Sequence, residues 1–142
     1  MSQISESVTL SYYGHCAFQW TTPLGIRVLI DPYGNREERR WFLREFPSVE
    51  ADLLLMTHSH FDHDALERVR GDPTVLRNAG HFQISDLSVW GITDLHSSTW
   101  GGHGMANTIF TLEAGGVRTC HIGDNRADIP RRSAAPLARW TC

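Results

Sequence analysis

The chain has 142 residues, of which 41% are hydrophobic and 20% are charged, and its formal net charge is -3. This length and composition are typical of one globular domain with its own core and exclude a largely disordered chain. The slightly acidic balance argues against a general nucleic-acid binder, because phosphate binding needs a surplus of lysine and arginine on one face.

Neither a membrane span nor a signal peptide is indicated by the sequence. No apolar run approaches the roughly 20 residues that cross a bilayer, and the first residues lack the pattern of a secretory signal. We therefore expect a cytoplasmic protein with no membrane partner. Cys16, Cys120 and Cys142 lack metal-ligand spacing and are odd in number, so we expect reduced thiols rather than a disulfide scaffold.

The first third of the chain has the pattern of an antiparallel sheet followed by a helix. Residues 22–25, Thr-Pro-Leu-Gly, predict a turn between the second and third strands. Residues 35–46 predict a helix whose Trp41, Phe42 and Phe46 either pack on the sheet, which is the favoured role, or form part of a lid over the site. The predicted strands cover residues 7–13, 16–21 and 26–31.

The rest of the chain predicts short strands and one further helix. A strand at 52–57 belongs to an apolar run between polar residues, which is typical of a strand buried on both faces. The acidic first turn and apolar spacing of residues 62–70 predict a helix. Further strands are predicted at 74–76, 81–84, 87–90 and 92–95, with a hairpin of 107–112 and 117–122.

One segment, residues 57–64, is dense in side chains that bind metals. It reads Thr-His-Ser-His-Phe-Asp-His-Asp. Because side chains alternate along an extended backbone, His58 and His60 point the same way from the end of the strand. The predicted helix start turns Asp62 and His63 back toward the same pocket. Three imidazoles and a carboxylate favour zinc, manganese or iron over calcium or magnesium.

Other donors follow predicted strands elsewhere, and each has an ordinary alternative. His96 is either a ligand or a solvated residue at a strand end. Asp124 is either a ligand at the carboxyl end of a strand or a turn aspartate that bonds nearby backbone. His15, His121 and Asp31 either orient a ligand or serve as structural residues.

Several motifs together resemble a known family. The string His58-x-His60-x-Asp62-His63 resembles the signature of the metallo-beta-lactamase superfamily. Further segments resemble, in the expected order, its branch of predicted metal-dependent hydrolases that includes ascorbate-phosphate lactonase. These segments are 13–18 (Tyr-Gly-His-Cys-Ala-Phe), 28–32 (Val-Leu-Ile-Asp-Pro), 95–98 (Leu-His-Ser-Ser) and 121–124 (His-Ile-Gly-Asp). The resemblance covers roughly residues 7 to 126 and implies an α/β fold, the αββα sandwich.

The resemblance also implies two neighbouring metal sites. His58, His60 and His96 would hold the first ion, Asp62 and His63 the second, and Asp124 would lie between them. Asp62 and Asp124 are thereby implied as catalytic carboxylates. The implied cofactor is one or two zinc ions, with manganese or iron as alternatives. Three nitrogen ligands leave a position for water, whose pKa falls toward neutrality on the metal, so that a hydroxide attacks the substrate.

The chain departs from the family pattern after Asp124. Family members continue with elements that complete the second half of the sandwich and bring one more histidine. Residues 127–142 lack a helix or strand period and hold no histidine, which indicates an atypical tail, through truncation or a shifted reading frame, on a single domain of residues 1–142. A sandwich that is incomplete in its second half exposes an apolar sheet face, so we expect instability or self-association into a homo-oligomer.

Three functions are compatible with these residues. The favoured one is a metal-dependent hydrolase acting on an ester, lactone or phosphoester of a small anionic substrate. The second is a catalytically inactive, metal-binding remnant of such an enzyme. The third is a non-metal interaction domain whose histidines are incidental. Elemental analysis separates the third from the others, and an activity screen separates the first two.

Overall fold

The computed structural model describes residues 7–97 and 104–131, and this part of the chain consists mainly of β-strands. In chain order these are β1 (Thr9–Gly14), β2 (Ala17–Thr21), β3 (Arg27–Ile30), β4 (Val49–Glu50), β5 (Leu53–Leu55), β6 (Val69–Arg70), β7 (Thr74–Leu76), β8 (Gly80–Ile84), β9 (Leu87–Leu95), β10 (Ala106–Ala114) and β11 (Val117–His121). A 3₁₀ turn, Leu66–Arg68, precedes β6. Most of the predicted tail, residues 132–142, lies outside the described residues.

The longer strands form two sheets. The first has five strands in the order β1-β2-β3-β5-β7, and the second has four in the order β11-β10-β9-β8. In the first sheet β1, β2 and β3 are antiparallel, whereas β3, β5 and β7 run parallel. The carboxyl ends of β3 and β5 therefore lie at the same edge as the turn between β1 and β2.

The main core lies between the two sheets. Leu53 and Leu55 point into it, while Leu54 packs on the opposite face of the first sheet with Leu29 and Met56. This alternation confirms that β5 is buried on both faces, and it explains why the strand is apolar at every position. The buried residues between the sheets are Trp20, Val28, Ile30, Leu53, Leu55, Leu87, Val89, Phe110, Leu112 and Ala114.

The predicted strands are confirmed, with one difference in the second sheet. The turn at 22–25 is also confirmed, since Gly25 N donates to Thr22 O at 2.9 Å. The strands predicted at 87–90 and 92–95 are the single strand β9, which continues through Gly91. A Cβ on Gly91 would lie 2.6 Å from the carbonyl oxygen of Asn78, so this glycine permits a close backbone approach and does not interrupt the strand.

The helix predicted at residues 35–46 is wrong, because this segment forms a loop. The Asn35 side chain donates to Phe42 O and accepts from Phe42 N, each at 2.9 Å, and so replaces the hydrogen bonds of a helix. Phe42 and Phe46 pack on the first sheet as predicted, whereas Trp41 is 65% exposed. The apolar residues of this segment therefore do not share one face.

The helix predicted at residues 62–70 is also wrong. A turn, in which His63 N donates to His60 O at 2.8 Å, leads into the 3₁₀ turn and then into β6. The backbone N–H of Ala65 bonds Pro32 O at 2.9 Å, and β6 pairs with β4. These long-range bonds outweigh a helix propensity of a few tenths of a kcal/mol per residue. Among the described residues, no helix has the length and apolar character needed to span a membrane.

Candidate metal centre

Six side chains predicted as metal ligands meet at one edge of the two sheets. Four of them lie in the loop after β5, one directly follows β9, and one follows β11. The ring centroids of His58, His60 and His96 lie 4.7–4.8 Å from one another. The structure therefore brings together donors from distant parts of the chain. These six residues are His58, His60, Asp62, His63, His96 and Asp124.

The donor atoms form two neighbouring groups, with Asp124 between them. The ligand atoms of His58, His60 and His96 all lie within 4.8 Å of one another, as do those of His58, His63 and Asp124. Asp124 Oδ2 is 3.5 Å from His96 Nε2 and 3.9 Å from His58 Nε2. Its other oxygen, Oδ1, is 3.5 Å from His63 Nε2. One carboxylate thus presents one oxygen to each group.

Two ring nitrogens at this site are buried without a hydrogen-bond partner in the described part of the chain. They are His58 Nε2 and His96 Nε2. Burial, together with the neighbouring His63, lowers the pKa of His58 to about 4, so its imidazole is neutral at pH 7. Leaving a buried polar atom unsatisfied costs about 1–3 kcal/mol, whereas a neutral imidazole nitrogen is a good metal ligand. This donor set fits a zinc, manganese or iron ion.

The hydroxyl of Thr57 determines which nitrogen of His58 faces the site. Thr57 Oγ1 lies 2.8 Å from Asp31 Oδ2 and 2.8 Å from His58 Nδ1. A hydroxyl has one hydrogen and a carboxylate only accepts, so Thr57 donates to Asp31 and accepts from the Nδ1–H of His58. His58 Nε2 therefore carries a lone pair, the form that binds a metal.

Asp31 orients a histidine in each of the two groups. Its side chain is fully buried, and its Oδ2 accepts from His63 Nδ1 at 2.9 Å and from His121 Nε2 at 3.0 Å. Burial raises the pKa of Asp31, but the hydrogen bonds from His121 and His63 outweigh this effect and lower the pKa to about 2. The carboxylate acts on His63 directly and on His58 through Thr57. Of the two roles considered for Asp31, contact with the donor histidines is the one seen.

Charge at the site is balanced through His63. Burial lowers the pKa of His63, but the hydrogen bonds with Asp124 and Asp31 outweigh it and raise the pKa to about 10. The hydrogen bond from His63 in turn holds the pKa of Asp124 well below its usual range. A proton on His63 Nε2 and a metal ion at the same atom exclude each other, so either one offsets the charge of Asp124.

Backbone contacts hold Asp124 in place independently of its carboxylate. His96 and Asn125 form an isolated antiparallel bridge, and Ser97 N donates to Asp124 O at 2.7 Å. The segment after β11 is thereby attached to the end of β9. This attachment explains how a histidine and an aspartate from different strands reach the same site.

Gly123→Ala tests the close packing beside Asp124. A Cβ at Gly123 would lie 2.5 Å from Thr57 Oγ1 and 2.8 Å from Asn107 Oδ1, and its φ is +56°. We expect the metal-free protein to lose about 1–3 kcal/mol of unfolding free energy beyond the backbone cost, because the site is overpacked. Gly116→Ala is the control, since Gly116 has a φ of +74° with nothing within 4 Å of its Cβ position. Equal losses in urea titrations of the two variants would contradict the clash.

Sequence reasoning missed one contributor to the site and left two others undecided. The sequence predicts Thr57 only as the end of a strand, although its position directly before His58 is an available signal. His15 and His121 had ordinary alternatives, yet His15 lies 3.1 Å from Asp62 Oδ2 and His121 bonds Asp31. Their contacts span 47 and 90 residues of sequence, which no local pattern reports.

The two packed sheets carry a cluster of histidine and aspartate side chains at one edge, and the comparisons with known proteins agree with this arrangement. The family described as the Beta-lactamase superfamily domain matches residues 9–140, and the chain belongs to this superfamily. A relative from Thermococcus onnurineus, named a UPF0173 metal-dependent hydrolase, is 28% identical over 141 residues, which cover 82% of this chain and 61% of the relative. This chain therefore spans about three-fifths of that relative's length.

Two solved structures share the fold. A candidate Zn-dependent hydrolase of the metallo-beta-lactamase superfamily from Thermotoga maritima matches with a TM-score of 0.70 and 21% identity, over 92% of this chain and 57% of that one. CmlA, a diiron beta-hydroxylase from Streptomyces venezuelae, matches with a TM-score of 0.64 and 19% identity, over 95% of this chain and 33% of that one. The predicted metallo-beta-lactamase-like sandwich is thereby confirmed.

Proposed function

We propose that this chain carries the metal centre of a hydrolase that acts on an ester, lactone or phosphoester of a small anionic molecule. The observation behind this proposal is that two buried imidazole nitrogens without a hydrogen-bond partner, His58 Nε2 and His96 Nε2, lie next to Asp124. The two oxygens of Asp124 face the two donor groups. The name of the relative from Thermococcus onnurineus, a metal-dependent hydrolase, supports the same class of activity. Zinc is the first candidate cofactor, manganese and iron are the alternatives, and the cytoplasm is the expected location.

The proposed ligands divide between two ions. When bound, the metal supplies Lewis-acid polarisation of the substrate and a water whose pKa is lowered toward neutrality. Asp31 and Thr57 keep the Nδ1–H of the neighbouring histidines occupied, so that Nε2 is the atom offered to a metal. The proposed ligands are His58, His60 and His96 for the first ion and Asp62 and His63 for the second, with Asp124 shared and with Asp62 and Asp124 as the catalytic carboxylates.

A cavity beside the first donor group supports a small, anionic substrate. It has a volume of about 400 Å³ and is lined in part by His58, Ser59, Arg77 and Thr108. This volume is within the range of pockets that take small molecules. Arg77 lines this cavity together with Ser59, and its guanidinium lies 3.4 Å from Ser59 Oγ. A guanidinium is well suited to bind a carboxylate or phosphate group.

The proposed activity is tested with the purified chain reconstituted separately with zinc, manganese and ferrous iron. Each form is assayed against an aryl ester, a simple lactone and an aryl phosphodiester, and its metal content is measured by elemental analysis. We expect turnover of at least one of these classes in the wild type and its loss in His60→Ala. The loss follows because His60 supplies one of three nitrogens to the first group.

His81→Ala is the matched control for that experiment. His81 stacks on Trp90 with a centroid distance of 4.7 Å and is exposed on β8, in the second sheet. This variant should keep both metal and turnover. Bound metal without turnover of any class would indicate an inactive remnant, and absence of metal from every reconstituted form would indicate a non-metal interaction domain.

A further inference from the structure

We propose that His15, in the turn between β1 and β2, is a ligand of the second metal ion together with Asp62, His63 and Asp124. This inference rests on the proposed metal centre and adds a ligand that the signature after β5 does not contain. His15 Nε2 lies 3.1 Å from Asp62 Oδ2 and 3.3 Å from His63 Nε2. It therefore reaches the second donor group from the opposite end of the sequence.

The separations among these atoms match the spacing of ligands around one small cation. His15 Nε2, Asp62 Oδ2 and His63 Nε2 form a triangle with sides of 3.1, 3.3 and 3.5 Å. Tetrahedral ligands at about 2.0–2.1 Å from a zinc ion are separated from one another by about 3.3–3.4 Å. Asp124 Oδ1, 3.5 Å from His63 Nε2, provides a fourth corner.

Hydrogen bonding alone does not account for this convergence. His63 Nε2 has three polar neighbours within 3.5 Å, namely His15 Nε2, Asp62 Oδ2 and Asp124 Oδ1. Its other nitrogen, Nδ1, is occupied by Asp31, so Nε2 carries at most one hydrogen for three neighbours. A cation among these atoms satisfies all of them at once, and it also offsets the charge of two carboxylates.

The ring of His15 is held in this position by its surroundings. His15 has a φ of 50°, in the left-handed region, which histidine and asparagine adopt more often than most non-glycine residues do. Its imidazole makes edge contacts with Phe42 at 5.4 Å and with Tyr33 at 6.3 Å between ring centroids. These ring contacts hold the imidazole with its Nε2 directed at Asp62 Oδ2.

The neighbouring thiol provides a second donor set that an experiment can distinguish. Cys16 Sγ lies within 4.8 Å of the ligand atoms of His15 and His63. A metal held by Cys16 instead of Asp62 would have a thiolate ligand. Cobalt(II) then shows an intense near-ultraviolet thiolate absorption, which oxygen and nitrogen ligands do not produce.

His15→Asn in the full chain is the test, because asparagine tolerates the positive φ and leaves the turn intact. Chelator-treated protein is titrated with zinc against a chromophoric chelator, and separately with cobalt(II) while its absorption spectrum is recorded. We expect two bound ions in the wild type and one in the variant, with the affinity for the second ion lowered more than about 100-fold, beyond the usual cost of losing an outer-sphere partner. A circular-dichroism melt of the metal-free variant verifies folding.

Two control variants test whether the effect of His15→Asn is specific to His15. His81→Asn should bind two ions, and Cys16→Ser should bind two ions without any change in the cobalt spectrum.

Retention of both ions by His15→Asn, with less than a tenfold change in affinity, would overturn the ligand role and leave the proposed hydrolase intact. If the wild type shows a thiolate band that Cys16→Ser abolishes, Cys16 and not Asp62 is the ligand. That result would overturn the proposed ligand set. Failure of the wild type to bind two ions would overturn this inference, and failure to bind any would also remove the proposed function.

Discussion

Replacing Asp124 by alanine is expected to remove most of the bound metal and to lower kcat/KM by more than about 100-fold. Loss of a residue that only supports a ligand costs about 10–100-fold, and loss of a direct ligand should exceed this. The two oxygens of Asp124 lie 3.5 Å from His63 Nε2 and 3.5 Å from His96 Nε2, so one substitution affects both donor groups. Replacing His60 or His96, in contrast, removes a donor from the first group only. Metal content after gel filtration and kcat/KM on the best substrate measure the two effects.

The metal-free fold should survive this change. The backbone carbonyl of Asp124 accepts from Ser97 N, and the bridge between His96 and Asn125 is also made by backbone atoms. Asp72→Ala, which removes an exposed carboxylate between β6 and β7, is the matched control and should keep full metal content. A variant of Asp124 that binds two ions with unchanged affinity would refute the shared-ligand role.

Asp31→Asn is expected to destabilise the protein and weaken metal binding together. The carboxylate is fully buried and accepts hydrogen bonds from Thr57 N, Thr57 Oγ1, His63 Nδ1 and His121 Nε2. An amide in its place directs N–H groups at one or more of these donors. Breaking a buried charged pair in this way costs about 3–5 kcal/mol of unfolding free energy. Loss of a partner behind a ligand lowers metal affinity about 10–100-fold.

Asparagine is the suitable replacement because it removes the charge of Asp31 without changing the backbone conformation. Asp31 has a φ of 47°, and asparagine adopts this conformation about as readily as aspartate. Asp52→Asn is the control, since Asp52 bonds Arg27 at 2.8 Å in an exposed pair, which is worth about 0–1 kcal/mol. Urea unfolding of the metal-free proteins gives the stabilities, and competition with a chelator gives the affinities. Stability losses of similar size in the two variants would contradict the role of Asp31.

This double effect has a structural cause. Asp31 lies at the end of β3, next to β5, and reaches one donor group through Thr57 and the other through His63. The tautomers of two histidines therefore depend on one buried carboxylate. Stability and metal affinity are coupled here because the same hydrogen bonds serve the fold and the site.

Much of the fold was predictable because strand signals are local. Alternation, apolar runs and turn residues depend on near neighbours, and nearly all the predicted strands are found. The two predicted helices fail for reasons that lie outside those patterns. The Asn35 side chain replaces helix hydrogen bonds with its bonds to Phe42, and Ala65 N bonds Pro32, which is far away in sequence. Weak propensity gives way to such contacts.

The candidate site was predictable only where its residues are adjacent in sequence. His58, His60, Asp62 and His63 are recognisable because a strand end and a tight turn confine them. His96 and Asp124 were identified as donors, but their meeting depends on the second sheet packing against the first. The turn that carries His15 gave no comparable signal, because its partners lie 47 and 48 residues away.

By itself, the sequence predicted most of the strands, the apolar residues of the core and six candidate metal donors, since these depend on residue type, short-range spacing and the order of motifs. Tertiary structure alone decided how close the donors come to one another, which nitrogen His58 and His63 present, and that Asp31 and Thr57 orient them. Those properties depend on distances across the two sheets and on single hydrogen bonds, and the packing of distant segments sets both.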